Sequence, residues 1–340
     1  MTIKRSLRVA VPALALAATA GLIGGAALPE RQAPRAMNFL LMGTDGRDTI
    51  TAAEKNKFHA GGIACGCTDV LMLVHVSARR DRVSVVSLPR DSLAQIPAHR
   101  DPVTGKNVPL HPAKINAAYE EGGPELALAT VESMTGMEID SYLQVDFRRF
   151  MDTVEQVGGV EVCTARRLDD PATKLSLAPG TYRLNGGQSL QYVRSRKVDT
   201  SADLGRIQRQ HRFLVAALRG LQADGRLTDP DAMGRVVRTL LGSGRVEQGF
   251  AALDLLELAA ELNRVPASAT EFTTVPVAGF NPDLPGIGST LKWDRDKAAR
   301  MFDDLRRDQP LVAPGTDPRP QDPPGFAPAP AVRGSALACA

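Results

Sequence analysis

With 340 residues, 43% of them apolar and 23% charged, the chain can bury a full core and is too apolar to be an extended, solvated coil. Its net charge of +3 is too small for a nucleic-acid binder held by bulk charge, so the placement of basic residues matters more than their total. At the N-terminus, Lys4, Arg5 and Arg8 (residues 1–8, a basic cytoplasmic region) precede twenty uncharged residues, 9–28. At about 1.5 Å per residue these span roughly 30 Å, the thickness of a bilayer's hydrocarbon. That pattern predicts a single-pass anchor in the cell membrane with the rest of the chain outside, a cleaved signal peptide being the alternative.

After a linker at residues 29–37, an extracytoplasmic domain is expected over residues 38–308. Phe39, Leu40, Leu41 and Met42 form an apolar strand that runs into Gly43-Thr44-Asp45-Gly46-Arg47. Residues 50–66 read as an irregular loop. Asp69 then opens a strand over residues 70–76, and a turn leads to a third strand over 83–88, ending in Pro89-Arg90-Asp91. No helical crossover separates the first two, which predicts three consecutive antiparallel neighbours. The end of the first strand, the start of the second and the end of the third then share one rim, where Asp45, Arg47, Asp69, Arg90 and Asp91 converge.

Later segments alternate. Helices are expected at residues 124–135, 147–157, 187–193, 204–221, 231–241, 253–262 and 294–307, with short strands at 142–145 and 160–163. The fold class that follows is α/β, an α–β–α sandwich with a mostly antiparallel or mixed central sheet flanked by helices. Residues 309–340 are rich in Pro and read as a disordered tail.

Between Gln191 and Arg212 stand six basic residues against Asp199 and Asp203. Arg194 and Arg196 flank one small residue, and Arg206 and Gln210 share a face of the helix that follows. Guanidinium forks beside a helix N-terminus suit an anion. Motifs for P-loop, Ser-His or zincin chemistry are absent, and the five histidines are scattered. Asp with Arg is the side-chain set of phosphoryl transfer: carboxylates hold Mg²⁺ and guanidiniums neutralise phosphate oxygens. The four cysteines are read in an oxidising compartment. Cys-x-Cys at Cys65 and Cys67 has no matching pair for zinc, and a disulfide from Cys67 or Cys65 to Cys163 is expected instead.

Eight segments occur in order: G-T-D-G-R at 43–47, T-D-V-L-M-L-V at 68–74, S-L-P-R-D at 87–91, K-I-N-A-A-Y at 114–119, V-D-F-R-R-F at 145–150, V-G-G-V at 157–160, Y-V-R-S-R at 192–196 and D-L-G-R-I-Q-R-Q at 203–210. The series, over about residues 38–221, resembles the LytR–CpsA–Psr family of bacterial envelope enzymes. The resemblance implies transfer of a glycopolymer from a polyprenyl-pyrophosphate carrier to a peptidoglycan hydroxyl in cell wall assembly, with no nucleic-acid partner. By the same resemblance, Asp45 and Asp69 hold Mg²⁺ (or Mn²⁺), and Arg90, Arg194, Arg196 and Arg206 bind the pyrophosphate. Arg47, Lys114, Asp203 and Gln210 are further pocket positions, with Asp203 or Asp91 as general base. An apolar groove for the lipid is expected near residues 126–131 and 147–154. A pyrophosphatase, and a non-catalytic surface module that binds anionic wall polymers or regulates envelope genes, are the alternatives. The long loop between Asp45 and Asp69, which carries Cys65 and Cys67, departs from the family pattern.

Overall fold

A computed structural model describes residues 35–62, 66–198, 202–242, 252–318 and 330–339. The anchor expected at residues 9–28 and Cys65 lie outside them, and among the described residues no helix is long and apolar enough to cross a membrane.

The centre is a six-stranded sheet. Strands β1 (Met37–Thr44), β2 (Thr68–Val76) and β3 (Val83–Ser87) are antiparallel neighbours, as the missing crossover predicted. Ser141–Val145 lies parallel to β1 on one side. On the other, Thr270–Thr274 lies parallel to β3, and Val332–Arg333 completes that edge. The sheet is therefore mixed.

Both faces of β1 and β2 are apolar, and side chains alternate across a strand. Phe39, Met72 and Val74 pack on one side beneath the helices Phe147–Gln156, Ala202–Ala223, Pro230–Leu241 and Ala252–Leu262. Leu40, Met42, Leu71 and Leu73 pack on the other, against the helices Ala117–Thr135 and Arg295–Arg306. Leu40, Met42 and Leu73 are fully buried, each contributing about 1.5–3 kcal/mol by burial. The result is the expected α–β–α sandwich.

Three expectations are corrected. The first concerns residues 50–66, which are not wholly irregular. Thr51 and Glu54 form a capping box and start the Ala52–Lys57 helix. Phe58, just after it, sits where any Cβ at Gly187 would collide with its ring, so the loop is seated on the Gly186–Arg194 helix.

The second correction concerns the disulfide. Cys163 pairs with Cys339, their Cα atoms 5.6 Å apart, and not with the Cys-Gly-Cys loop. Cys67 is disulfide-bonded as well, and none of the described cysteines is free. The third concerns the tail, whose described parts are ordered. Val312, Val332 and Leu337 are buried, and the fully buried Glu271 accepts from the N–H groups of Leu311 (2.9 Å) and Val312 (3.0 Å). Pro content hid three apolar anchors and a crosslink.

The helix expected at 124–135 is also longer, reaching back to Ala117, but it breaks at Gly122 (φ −151°) and Gly123 (φ 71°) before Pro124 restarts it.

Candidate functional site

Antiparallel pairing of β1 to β3 places the predicted acids and bases on one rim. A register shift between Gly43 and Thr44 ends β1 just before Asp45, and such bulges re-aim the next side chain. Asp45 is only 4% exposed; its Oδ1 accepts from Arg47 Nε, and Arg47 also reaches the Gly61 carbonyl. At the start of β2, Asp69 Oδ1 accepts from Arg90 Nη1 at 2.5 Å. Arg90 Nε lies 3.5 Å from Asp91, whose other oxygen accepts from Lys114 Nζ at 2.9 Å.

The basic stretch closes over these acids. Arg196 Nη2 stands 3.8 Å and Arg206 Nη1 3.9 Å from Asp69 Oδ1. Asp203 joins the same two guanidiniums, at 3.1 Å from Arg196 Nε and 2.8 Å from Arg206 Nη2. Arg194 lies over the Phe147 ring, 4.8 Å from its centroid, with Arg47 at 6.0 Å from the same centroid. Its Nη1 donates to the His59 carbonyl at 3.4 Å. Six cationic side chains (Arg47, Arg90, Lys114, Arg194, Arg196, Arg206) thus face four carboxylates (Asp45, Asp69, Asp91, Asp203), and the rim carries excess positive charge.

Burial and mutual charge tune these groups. Burial would raise the Asp69 carboxyl, but Arg206, Arg90 and Arg196 outweigh it and hold it below the usual carboxylate range. Burial, with repulsion from Arg47, lowers Arg194. Burial, with repulsion from Arg196 and Arg90 partly offset by Asp203 and Asp69, brings Arg206 down to about 10. Buried Nε atoms of Arg90 and Arg206 have no hydrogen-bond partner. A buried guanidinium with an orphaned donor costs free energy that an anionic oxygen would recover.

Behind the rim opens a cavity of about 330 Å³. Asp69, Arg194, Arg206 and Gln210 stand at its polar end, Gln210 Nε2 donating to the Val193 carbonyl at 3.2 Å. The rest is walled by apolar side chains: Leu41 and Val70 from the sheet, Phe150 and Val154 from the Phe147–Gln156 helix, and Phe213, Leu214 and Leu221 from the Ala202–Ala223 helix. From the stretch 147–154 expected near a groove, Phe147, Phe150, Thr153 and Val154 line it. Leu126 and Val131 do not, since they pack on the opposite face of the sheet.

The charged residues singled out in the sequence for the pocket meet at this rim, with Gln210 at the cavity mouth. Cys65 lies outside the described residues, and Cys163 is remote, on the Val160–Thr164 strand with its partner Cys339. The role of Phe147 as the ring beneath two guanidiniums was not legible, because an aromatic at the head of an amphipathic helix reads as core. The carbonyls of His59 and Gly61 carried no signal either.

Among the described residues no group of three His, Cys, Asp or Glu side chains forms a metal cage. Asp45 and Asp69 each engage an arginine through Oδ1; Mg²⁺ commonly takes one or two carboxylates and fills its shell with phosphate and water, so a hard cation here would draw on these two acids and not on a closed cage.

The LytR_cpsA_psr family model matches residues 23–307. A probable cell wall biosynthesis protein, LcpB, of Corynebacterium glutamicum is 33% identical over 270 residues, covering 79% of this chain and 61% of that protein. A polyisoprenyl-teichoic acid–peptidoglycan teichoic acid transferase, TagU, of Oceanobacillus iheyensis is 28% identical over 271 residues, covering 77% of this chain and 72% of that protein. In fold, the crystal structure of Bacillus subtilis TagV superposes with a TM-score of 0.61, at 23% identity over 81% of this chain and 97% of that one. With the family model spanning most of its length, the chain belongs to the LytR–CpsA–Psr family.

Proposed function

We propose that the protein is a Mg²⁺-dependent phosphotransferase that moves a glycopolymer from a polyprenyl-pyrophosphate carrier to a peptidoglycan hydroxyl, leaving a phosphodiester. The observation that carries this reading is one carboxylate, Asp69, ringed by Arg90, Arg196 and Arg206 at the polar mouth of an apolar cavity. A diphosphate with a lipid tail has that polarity: two charged phosphates on an apolar chain. The Oceanobacillus relative, named as a polyisoprenyl-teichoic acid–peptidoglycan teichoic acid transferase, supports the same class of donor and acceptor. The sequence of basic n-region and apolar stretch supports a single-pass anchor that would hold the site next to the lipid.

In this reading, Arg90, Arg194, Arg196 and Arg206 bind the diphosphate and take up charge as the bridging P–O bond breaks. Asp45 and Asp69 are the residues that would hold Mg²⁺, which when bound neutralises phosphate charge. The acceptor oxygen attacks the phosphorus nearer the glycan, and polyprenyl phosphate leaves. The hydroxyl proton needs a carboxylate. Asp203, held by Arg196 and Arg206, is the carboxylate beside these phosphate-binding groups that we assign to accept it.

Incubating the detergent-solubilised full chain with a polyprenyl-pyrophosphate glycan, Mg²⁺ and peptidoglycan tests this. Polyprenyl phosphate should appear only with the acceptor present, and new phosphodiester in the peptidoglycan. Release without acceptor makes the enzyme a pyrophosphatase, and binding without release makes it a polymer-binding module.

A further inference from the structure

Between the Gly186–Arg194 helix and the Ala202–Ala223 helix, Ser195, Arg196 and Lys197 run without regular structure. Ser195 leaves the first helix in extended backbone (φ −61°, ψ 137°), so the next two N–H groups have no helical carbonyl to meet. Both go to a single oxygen. Arg196 N and Lys197 N donate to Asp170 Oδ2 at 2.6 and 3.0 Å, while Ala172 N donates to Asp170 Oδ1 at 2.8 Å.

Asp170 is 1% exposed and ends the Leu168–Asp170 strand, which pairs with Leu175–Leu177. Leu168, Leu175 and Leu177 are buried in the core, so the hairpin is a rigid platform. Burial would raise the Asp170 carboxyl, but the N–H groups of Lys197, Arg196, Ala172 and Thr173 prevail and hold it below the usual range. The preceding residue is fixed from the other side: Arg209 Nη2 donates to the Ser195 carbonyl at 2.6 Å, and the Ser195 hydroxyl meets Thr173 Oγ1 at 3.0 Å. From this clamped backbone the Arg196 side chain extends to Asp203 and toward Asp69.

We infer that Asp170 is a positioning residue of the diphosphate site: it sets where the Arg196 guanidinium is delivered without itself touching phosphate. This rests on the diphosphate reading above and adds to it the element that aims one of its cations. A buried carboxylate in a hairpin that only packed the core would need no acceptor geometry matched to two consecutive N–H groups of the basic stretch. Misplacing a phosphate-binding group by about 1 Å is enough to cost on the order of a hundredfold in rate.

The test is a double-mutant cycle in the detergent-solubilised full chain, read as the affinity for inorganic pyrophosphate. Asp170→Asn is nearly isosteric but turns one acceptor face into a donor that opposes an N–H. It should weaken pyrophosphate at least about tenfold, and in Asp170→Asn/Arg196→Ala the affinity should fall within about twofold of Arg196→Ala alone. Thermal unfolding accompanies each variant. If Asp170→Asn does not fold, the cycle is run with Asp170→Glu, which keeps charge and acceptors, and the same non-additivity is expected. Losses that multiply in the double variant, or wild-type affinity in the single one, overturn the assignment while leaving the diphosphate reading in place. A wild-type chain that binds no pyrophosphate overturns both.

Discussion

Arg206 Nη1 stands 3.9 Å from Asp69 Oδ1, with Asp69 at the head of a strand and Arg206 in the second turn of a helix far along the chain. The guanidinium is almost fully buried, and Asp203 holds its other nitrogen at 2.8 Å. Lysine can replace its charge but not its fork. Arg206→Lys should therefore keep the fold and lower polyprenyl phosphate release at least about tenfold, and Arg206→Ala should lower it on the order of a hundredfold or more. Because Ala also removes one cationic partner from each of Asp69 and Asp203, its thermal midpoint should drop further than that of Lys. Equal turnover in Lys and wild type would remove bidentate binding from the account.

His211 makes stability depend on pH. Its Nε2 meets Ser87 Oγ at 2.7 Å, its ring packs on Phe272, and burial brings its pKa down to about 3 from an ordinary 6.5. The folded-state pKa is depressed, so the unfolded chain takes up the proton first as pH falls. The stabilising contribution is complete above pH 6.5 and is lost progressively from there down to about 3. At pH 5 the loss is about 2 kcal/mol from this residue, at 1.36 kcal/mol per unit. Urea unfolding at pH 7.5 and pH 5 should show a smaller difference in His211→Gln than in the wild type, whose buried His75, also lowered by burial, contributes equally to both. An identical difference in the two proteins would exclude His211 as the source.

Much of this was legible in one dimension. The three leading strands are apolar runs with turn residues between them, and antiparallel pairing alone then dictated that Asp45, Asp69 and Arg90 share a rim. The meeting of that rim with Arg196 and Arg206 needed tertiary packing, which no local pattern encodes. The apolar cavity was harder still. Phe150, Phe213 and Leu214 recur at helical spacing, as core residues do, and only the placement of the two helices leaves space between them. Asp170 looked like one of many surface acids, because nothing near it in sequence announces the N–H groups it serves. In the tail, Pro-rich composition outweighed Val332, Leu337 and Cys339, three short signals that act only together.

The Cys163–Cys339 disulfide ties the last strand and turn to the body of the protein across a sequence separation of 176. In the chain-entropy model, closing so long a loop stabilises by on the order of 5 kcal/mol. Cys339→Ser should lower the thermal midpoint and let the Val332–Arg333 edge strand exchange its amide hydrogens faster. The rim lies elsewhere in the fold, so pyrophosphate affinity at a temperature where the variant is folded should stay within about twofold of wild type. Hydrogen exchange of that strand unchanged by the substitution would show that its pairing with Glu271 and Phe272 holds it without the crosslink.

The cavity and the rim should separate experimentally. Ala217 and Leu214 lie on the cavity wall from the Ala202–Ala223 helix, beyond Arg206 and Gln210. Ala217→Trp would project a large ring into a space of about 330 Å³ without touching a charged group. Filling an existing cavity costs little where the ring fits, and up to about 1–3 kcal/mol where neighbours must move. Each buried methylene of a lipid contributes about 0.8 kcal/mol, so excluding even two or three of them weakens a long-chain donor roughly tenfold or more. Ala217→Trp should therefore raise KM for a full-length polyprenyl donor, leave inorganic pyrophosphate affinity unchanged, and narrow the gap between long- and short-chain donors. A chain-length preference untouched by the ring would place the lipid somewhere other than this cavity.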